Sequence, residues 1–293
     1  MQDFAAQLIK VFPAAANGGN PAPIVLEAEG MSDAAMRAVA AQYGHESGFV
    51  FAPSPASGAD FKMRYFVPLH EMEMCGHATV GALWLLRQSG RWTTPAATVE
   101  TASGLVRGFV RHAGTPDEYV EITQPAGKLQ TVNDAKQLAE IADVLRVRAD
   151  ELLPLPVLNA ATSRVKTLIG LSSVTALDTL QPDFARVQAL CEALGSTGLY
   201  PFAVDPQKPR SFHARQFPKS SGYPEDAATG IAAAALLFGL RAHGLVPADH
   251  ELTTIHQGRA MGAPSEIRAR FDLDAAGQVI GCFIGGAVTY CGG

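Results

Sequence analysis

The sequence predicts an α+β protein of two similar lobes, each a curved, mostly antiparallel sheet wrapped around a central apolar helix. Three observations lead to this prediction. Two helical segments, at about residues 78–88 and 230–240, are apolar on nearly every side, and such helices must be enclosed by other elements. Strand patterns surround both segments, and the pattern of elements begins again after Pro125. Two layered units of similar build are the simplest arrangement that satisfies these features.

The first half of the chain reads as strands with two helices. The strand patterns before the apolar helix are "QLIKVF", "APIVLEA", "SGFVFAP" and "FKMRYFV", the last with period-two alternation. The early helix, "MSDAAMRAVAAQYG", has Ser32 as its expected N-cap and Gly44 as its expected C-cap. After the apolar helix, "ATVETASGLVRGFVRH" predicts a hairpin that turns at Ser103 and Gly104, and "EYVEITQP" predicts a further strand.

The second half repeats this order. The helical segment "NDAKQLAEIADVLRV" leads to the strand "RVKTLIGL", the helix "DFARVQALCEALG" and the strands "LYPFAVD" and "SFHARQFP". The second apolar helix and three strand patterns, "ELTTIHQG", "SEIRARFDL" and "QVIGCFIGGAVTYC", complete the chain. We therefore place an N-terminal lobe at residues 1–125 and a C-terminal lobe at residues 126–284, with a last strand at about 285–293 as a candidate to return to the first.

Composition excludes several classes of function. The net charge is only -5 over 293 residues, without a basic stripe, so nucleic acid and anionic membranes are not expected partners. The longest apolar segment, residues 230–240, is too short to cross a bilayer core of roughly 30 Å. The start of the sequence lacks the layout of a signal peptide, which predicts a cytoplasmic protein. Four scattered cysteines without zinc-ligand spacing predict neither a disulfide framework nor a metal site.

Both apolar helices begin next to polar or reactive residues: Cys75 and His77 at the first, Glu225 and Asp226 at the second. A helix start carries unpaired N–H groups and partial positive charge, which suits a substrate carboxylate and negative charge that develops during reaction. Small residues there let a ligand approach the backbone, although they also suit tight helix packing alone. The expected substrate-binding residues are Cys75, Gly76, Ala78, Thr79, Ala228, Thr229 and Gly230.

Six sequence blocks carry a resemblance to a known family. They are "GGNPAPIVL", "HESGFVF", "YFVP" with "MCGHATVGAL", "ARQFP", "EDAATG" and "HQGRAMGAPS". In these blocks, and over nearly its whole length, the chain resembles the PhzF-like phenazine-biosynthesis family of isomerases, which belongs to the diaminopimelate epimerase fold group. The resemblance implies two lobes with a central helix in each, a site between them that needs no cofactor or metal, and a homodimer.

The resemblance also implies roles for three residues. Glu46 corresponds to the family's catalytic carboxylate, His77 to its supporting histidine and Asp226 to its supporting aspartate. In members that make phenazine precursors, the glutamate is thought to move a proton between two carbons of a cyclic diene acid. Such a carboxylate needs a pKa raised toward neutrality, and partial burial raises it. From the local sequence alone, Glu46 reads as a surface residue before a strand and Asp226 as a helix N-cap.

Three positions depart from the family pattern. Related epimerases use two cysteines as opposed bases, but the counterpart of Cys75 is Ala227, so a two-thiol racemase is not expected. Cys75 then reads mainly as a small filler, with a thiol activated by the helix start as the alternative. Ile231 replaces a serine of phenazine-type members and Ala263 replaces an arginine. Both losses argue against the phenazine precursor, and we predict isomerisation of another small, carboxylate-bearing metabolite.

Two other functions stay open at the sequence level. One is an epimerase or lyase in which Glu46 removes a proton next to a carboxylate. A one-base shift would partly retain the original hydrogen, whereas a two-base epimerase incorporates deuterium from D2O. The other is a non-catalytic binding protein, against which the combination of Glu46, His77 and Asp226 argues.

Overall fold

The computed structural model describes residues 4–291, which divide into two compact units. The first comprises residues up to 14, residues 19–123 and the residues from 285 on, and the second comprises residues 15–18 and 124–284. Each unit combines β-strands with helices, which confirms the predicted α+β class. Among residues 4–291, no helix is long and apolar enough to span a membrane.

The described residues of the first unit form nine strands and two helices. Its elements are β1 (Gln7–Val11), β2 (Asn20–Val25), α1 (Asp33–Tyr43), β3 (Ser47–Phe51), β4 (Phe61–Phe66), β5 (Glu71–Met72), α2 (Gly76–Gln88), β6 (Ala96–Thr101), β7 (Gly104–Arg111), β8 (Tyr119–Pro125) and β18 (Val288–Tyr290). The strands pair in the order β18, β1, β2, β3, β4, β6, β7 and β8, with β5 beside β4. All pairs are antiparallel except β2–β3 and β4–β6, and β6–β7 is the predicted hairpin.

Helix α2 is enclosed as predicted, because most of its 13 residues are buried. It packs on β1, β2 and β3. A Cβ at Gly81 would lie 2.5 Å from Ile9 Cδ1, and a Cβ at Gly48 would lie 2.9 Å from Ile24 Cδ1. Glycine at position 81 therefore lets the helix approach the sheet closely, and glycine at position 48 leaves room for the Ile24 side chain of the neighbouring strand.

Helix α1 covers the opposite face of the sheet. Ile24 points toward α2, whereas its neighbour Val25 joins the cluster around α1, as the alternation of a strand requires. Both predicted caps are confirmed: the Ser32 hydroxyl accepts a hydrogen bond from the Ala35 amide, and Gly44 ends the helix in the left-handed conformation.

The second unit also combines nine strands with helices. Its elements are β9 (Lys128–Thr131), α3 (Ala135–Leu145), β10 (Leu158–Ala161), β11 (Val165–Leu171), α4 (Val174–Asp178), α5 (Phe184–Leu194), β12 (Gly198–Val204), β13 (Ser211–Ala214), β14 (Phe217–Pro218), α6 (Gly230–Ala242), β15 (Thr253–Gln257), β16 (Ser265–Leu273) and β17 (Val279–Gly286). Strands β9, β10, β11, β12, β13, β15 and β16 pair in that order, with β14 beside β12.

Helix α6 is the counterpart of α2 and is also enclosed. It packs on β9, β10, β11 and β16, and Gly239 lets it approach Leu168 of β11. The next residue of that strand, Ile169, faces the opposite cluster of α3, α4 and α5. The segment "SFHARQFP", expected as one strand, instead forms β13 and β14 with Arg215 and Gln216 between them.

Candidate active site

Glu46, Cys75 and His77 lie together in the first unit. Glu46 directly precedes β3, Cys75 is the N-cap of α2, and His77 is the second residue of that helix. The contact of α2 with β3 brings these segments together, although Glu46 and Cys75 are 29 positions apart in sequence.

The three side chains are in mutual contact. The Cys75 thiol donates a hydrogen bond to Glu46 Oε2 over 3.1 Å. His77 Nδ1 lies 3.5 Å from Cys75 Sγ and 3.6 Å from Glu46 Oε2. A carboxylate, a thiol and an imidazole all carry protons, so this cluster can hold a proton and pass it on over short distances.

Burial differs among the three groups in a way that suits proton transfer. Cys75 and His77 are buried, whereas the Glu46 side chain keeps 17% of its surface exposed. The carboxylate is therefore the member of the cluster that a ligand from solvent reaches first. The neighbouring His45 is half-buried, and its pKa lies below the usual 6.5 because burial disfavours the charged form; the Glu46 charge opposes this shift.

The buried hydroxyls of Thr79 and Tyr65 support the backbone of Cys75. The Thr79 hydroxyl donates to the Cys75 carbonyl oxygen over 2.7 Å, and the Tyr65 hydroxyl lies 2.7 Å from Thr79 Oγ1. Burial raises the pKa of Tyr65, so its hydroxyl stays protonated. Thr79, expected to bind substrate, is thus fully buried and engaged with the helix backbone, while Gly76 and Ala78 form the first turn beside the cluster.

In the second unit, Asp226 lies before α6 in a different setting. The N-cap of α6 is Thr229, so the alternative reading of Asp226 as the N-cap is wrong. The Asp226 carboxylate accepts a hydrogen bond from the Thr229 hydroxyl, and its amide donates to the Gln216 carbonyl over 3.1 Å. Ala228 and Gly230 flank Thr229 and are buried.

Gln257, which the sequence analysis did not single out, organises this second region. Its Nε2 donates to the Asp226 carbonyl over 2.7 Å and to the Thr229 hydroxyl over 3.1 Å. Its Oε1 accepts from the Tyr200 hydroxyl at 2.9 Å and from the Thr229 amide at 3.3 Å. Burial raises the pKa of Tyr200 and keeps this donor protonated. A glutamine at the end of a strand pattern gives no sequence signal for such a role.

Glu225, the other polar residue before α6, forms a buried ion pair with Arg215. Two parallel hydrogen bonds of 2.8 and 2.7 Å join the two side chains. A second branch of the Arg215 guanidinium donates to the carbonyl oxygens of Leu177 and Leu180. The pair therefore ties "ARQFP" to "EDAATG" and is structural.

Two of the departures from the family pattern meet at one turn. Gly258 has a φ of 78°, and a Cβ there would lie 2.7 Å from the Ala227 oxygen and 2.2 Å from the Ala263 oxygen. Only glycine fits this turn. The third departure, Ile231, is half-buried in the first turn of α6.

The other buried cysteines contrast with Cys75. Cys191 lies in α5, where burial raises the pKa of its thiol to about 11, and burial also raises the pKa of Cys282 in β17. Both side chains are buried, and both thiols stay protonated.

The chain is similar over most of its length to proteins named as isomerases. An uncharacterized isomerase of Deinococcus radiodurans is 34% identical over 284 residues, which cover 94% of this chain and 90% of that protein. The trans-2,3-dihydro-3-hydroxyanthranilate isomerase of Pseudomonas aeruginosa is 28% identical over 261 residues, or 89% of this chain and 87% of that enzyme. The chain is thus an isomerase-class enzyme acting on small molecules. The model of the family described as phenazine biosynthesis-like protein matches residues 9–291, and the chain belongs to this family.

A solved structure supports the same assignment at the level of the fold. The crystal structure of the Bacillus anthracis phenazine biosynthesis protein of the PhzF family has a TM-score of 0.87 and 23% sequence identity, with 99% of this chain and 97% of that chain covered. The resemblance drawn from the sequence blocks and the predicted fold class are both confirmed.

Proposed function

We propose that the protein is a cofactor-independent isomerase that moves a proton between two carbons of a small, carboxylate-bearing metabolite, with Glu46 as the general acid and base. The observation that carries this proposal is the contact cluster of Glu46, Cys75 and His77. Glu46 Oε2 lies within 3.1–3.6 Å of two further proton-carrying groups, and the Glu46 side chain is partly exposed to solvent.

In the proposed reaction, Glu46 removes a proton from one substrate carbon and the electron pair moves into the conjugated system of the substrate. Glu46 then returns the proton to a second carbon, so the substrate neither gains nor loses an atom. The positive end of α2, at Gly76 and Ala78, stabilises the negative charge that develops. Cys75 and His77 contact Glu46 Oε2 and hold the carboxylate in one orientation.

Asp226 enters the proposal as a residue that binds substrate or relays protons, as the family resemblance implies. Ala227 stands where related epimerases have a second thiol, which favours a one-base shift over a two-thiol epimerisation. Ile231 and Ala263 remove a hydroxyl and a cation that phenazine-type members have, so the proposed substrate differs from that of the Pseudomonas aeruginosa relative.

The expected homodimer and cytoplasmic location stay predictions, and light scattering of the purified protein tests the dimer.

The Glu46→Gln variant tests this proposal. A panel of small carboxylates is first screened by thermal shift, since a ligand at 100 times its Kd stabilises the folded state by about 2.7 kcal/mol. On a hit that the wild type converts, Glu46→Gln is expected to lower kcat by about 10²–10⁴-fold, because the amide cannot exchange the proton. The control is Glu73→Gln, at an exposed position. Wild-type kcat/KM in Glu46→Gln would refute the proposal.

A further inference from the structure

We propose that Glu46, Cys75 and His77 form a binding site for a zinc-like divalent transition-metal ion, and that this ion inhibits the enzyme by taking the place of substrate. One ligand atom from each residue lies within 4.8 Å of the others. The inhibition, though not the metal binding, rests on the function proposed for Glu46.

The separations of the three ligand atoms match a tetrahedral metal site. Zn–S bonds of about 2.3 Å and Zn–N or Zn–O bonds of about 2.0–2.2 Å place tetrahedral ligand atoms about 3.3–3.6 Å apart. Here Cys75 Sγ and Glu46 Oε2 are 3.1 Å apart, Cys75 Sγ and His77 Nδ1 are 3.5 Å apart, and His77 Nδ1 and Glu46 Oε2 are 3.6 Å apart. Cys75 Sγ also lies 3.9 Å from His77 Nε2, so an ion binds all three atoms after small shifts combined with a rotation of the imidazole ring that turns Nδ1 toward it.

The donor set selects the class of metal. Sulfur with imidazole nitrogen favours Zn²⁺ and its neighbours in the transition series, whereas Mg²⁺ and Ca²⁺ require oxygen ligands. Three protein ligands leave a fourth position open for water, as in zinc sites that exchange ligands. Binding forms a metal–sulfur bond and releases the thiol proton to solvent.

The surroundings of the cluster favour binding. The buried Thr79 hydroxyl donates to the Cys75 carbonyl oxygen over 2.7 Å and lies 2.7 Å from the Tyr65 hydroxyl, so the backbone that carries the sulfur is fixed before an ion arrives. The partly exposed Glu46 side chain leaves a path from solvent. Because the ion binds the carboxylate of Glu46, the acid and base of the proposed reaction, it blocks that reaction while bound.

The test uses Co²⁺ as a spectroscopic substitute for Zn²⁺ on the full chain. One equivalent of Co²⁺ is expected to give the intense visible bands of a tetrahedral site and a near-ultraviolet thiolate-to-cobalt charge-transfer band, both removed by Zn²⁺. Cys75→Ser, which conserves size, is expected to lose the charge-transfer band and to weaken Zn²⁺ binding by more than about 100-fold, since even outer partners of metal ligands are worth 10–100-fold. The matched control is Cys291→Ser, which removes a partly exposed thiol and keeps the signal.

The proposal is overturned if the wild type gives no tetrahedral spectrum with one equivalent of Co²⁺, or if the charge-transfer band survives in Cys75→Ser. This readout does not depend on activity. An active Glu46→Gln enzyme would refute the proposed function and leave the metal site standing, whereas a missing spectrum would refute the metal site and leave the function standing. With a substrate in hand, Zn²⁺ is expected to inhibit competitively and a chelator to restore activity.

Discussion

The starts of helices α2 and α6 share their backbone form and differ in what their side chains do. Both helices have 13 residues and begin at a glycine, Gly76 or Gly230. At α2, a thiol, an imidazole and a carboxylate contact one another, and the carboxylate stays open to solvent. At α6, the polar groups are engaged by Gln257 and by one another. The first region therefore leaves a carboxylate open to solvent beside two further proton-carrying groups, whereas hydrogen bonds within the second region fix its polar groups to one another.

The Ala-Thr motif lies at a different position relative to the start of each helix. The two regions therefore share this motif without sharing the same side-chain contacts. Thr79 is the fourth residue of α2 and its hydroxyl donates to a backbone carbonyl, whereas Thr229 precedes α6 and its hydroxyl donates to the Asp226 carboxylate. Matched by family motif, Cys75 corresponds to Ala227; matched by position at the cap, it corresponds to Thr229. By either match, the second helix start carries no thiol.

The largest effect on stability is expected from Glu225→Gln, which tests how the second region is held. The substitution leaves the buried Arg215 guanidinium without its counter-charge, and loss of one partner of a buried pair costs about 3–5 kcal/mol. Chemical denaturation measures this loss. The control is Glu140→Gln, whose ion pair with Arg186 is exposed and is expected to matter by less than about 0.5 kcal/mol. Equal free energies of unfolding for the two variants would contradict the structural role of the pair.

A smaller effect is expected from Gln257→Leu, which removes the amide that organises the second region. The Tyr200 hydroxyl and the Asp226 carbonyl would lose a partner in a buried setting, and each such group costs about 1–3 kcal/mol. We expect the free energy of unfolding to fall by about 2–4 kcal/mol. Gln278→Leu, at an exposed turn, serves as the control and is expected to stay within about 0.5 kcal/mol of the wild type. A loss in Gln257→Leu no larger than in this control would show that the network is dispensable.

These regions also separate what a sequence can predict from what it cannot. The caps of α1 at Ser32 and Gly44 depend on residues a few positions apart, and local pattern was enough. Helices α2 and α6 were predicted because their apolar character on every side demands enclosure. Gln257 was missed because its partners Thr229 and Tyr200 are 28 and 57 positions away and meet only through strand pairing.

The contact of Cys75 with Glu46 was missed for a related reason. From sequence, Cys75 read mainly as a small filler, because no pattern near it indicates that a carboxylate 29 positions earlier approaches its sulfur. The packing of α2 on β3 produces that contact. Glu46 itself was predicted only through the family blocks, since its local sequence is that of a surface residue before a strand.

Two histidines extend the comparison of the regions to the effect of pH. His45 precedes Glu46 in the first region, and His256 precedes Gln257 in the second. The pKa of each lies below 6.5, chiefly through burial. Glu46 opposes the shift at His45, whereas the charge of the stacked His213 adds to it at His256.

The charges around His256 are mixed. Lys208 also lowers its pKa, and Glu266 and Asp205 raise it. Because the folded state binds the proton more weakly than the unfolded chain does, each histidine adds stability that is present above pH 6.5 and is lost as the pH falls through its folded-state pKa.

The smallest effect is therefore expected from His256→Asn, as a change in the slope of stability with pH. Denaturation at pH 7.5 and 5.5 is expected to show a smaller loss for this variant than for the wild type, because one group that resists protonation has been removed. The asparagine amide is too short to reach Ser211, which His256 Nε2 contacts at 3.1 Å, and this loss is the same at both pH values, so it leaves the difference between them unchanged. The exposed His250→Asn serves as the control and is expected to follow the wild type. If His256→Asn instead loses as much stability as the wild type between the two pH values, other groups cause the acid sensitivity. The different charges around His256 and His45 would then have no consequence for folding.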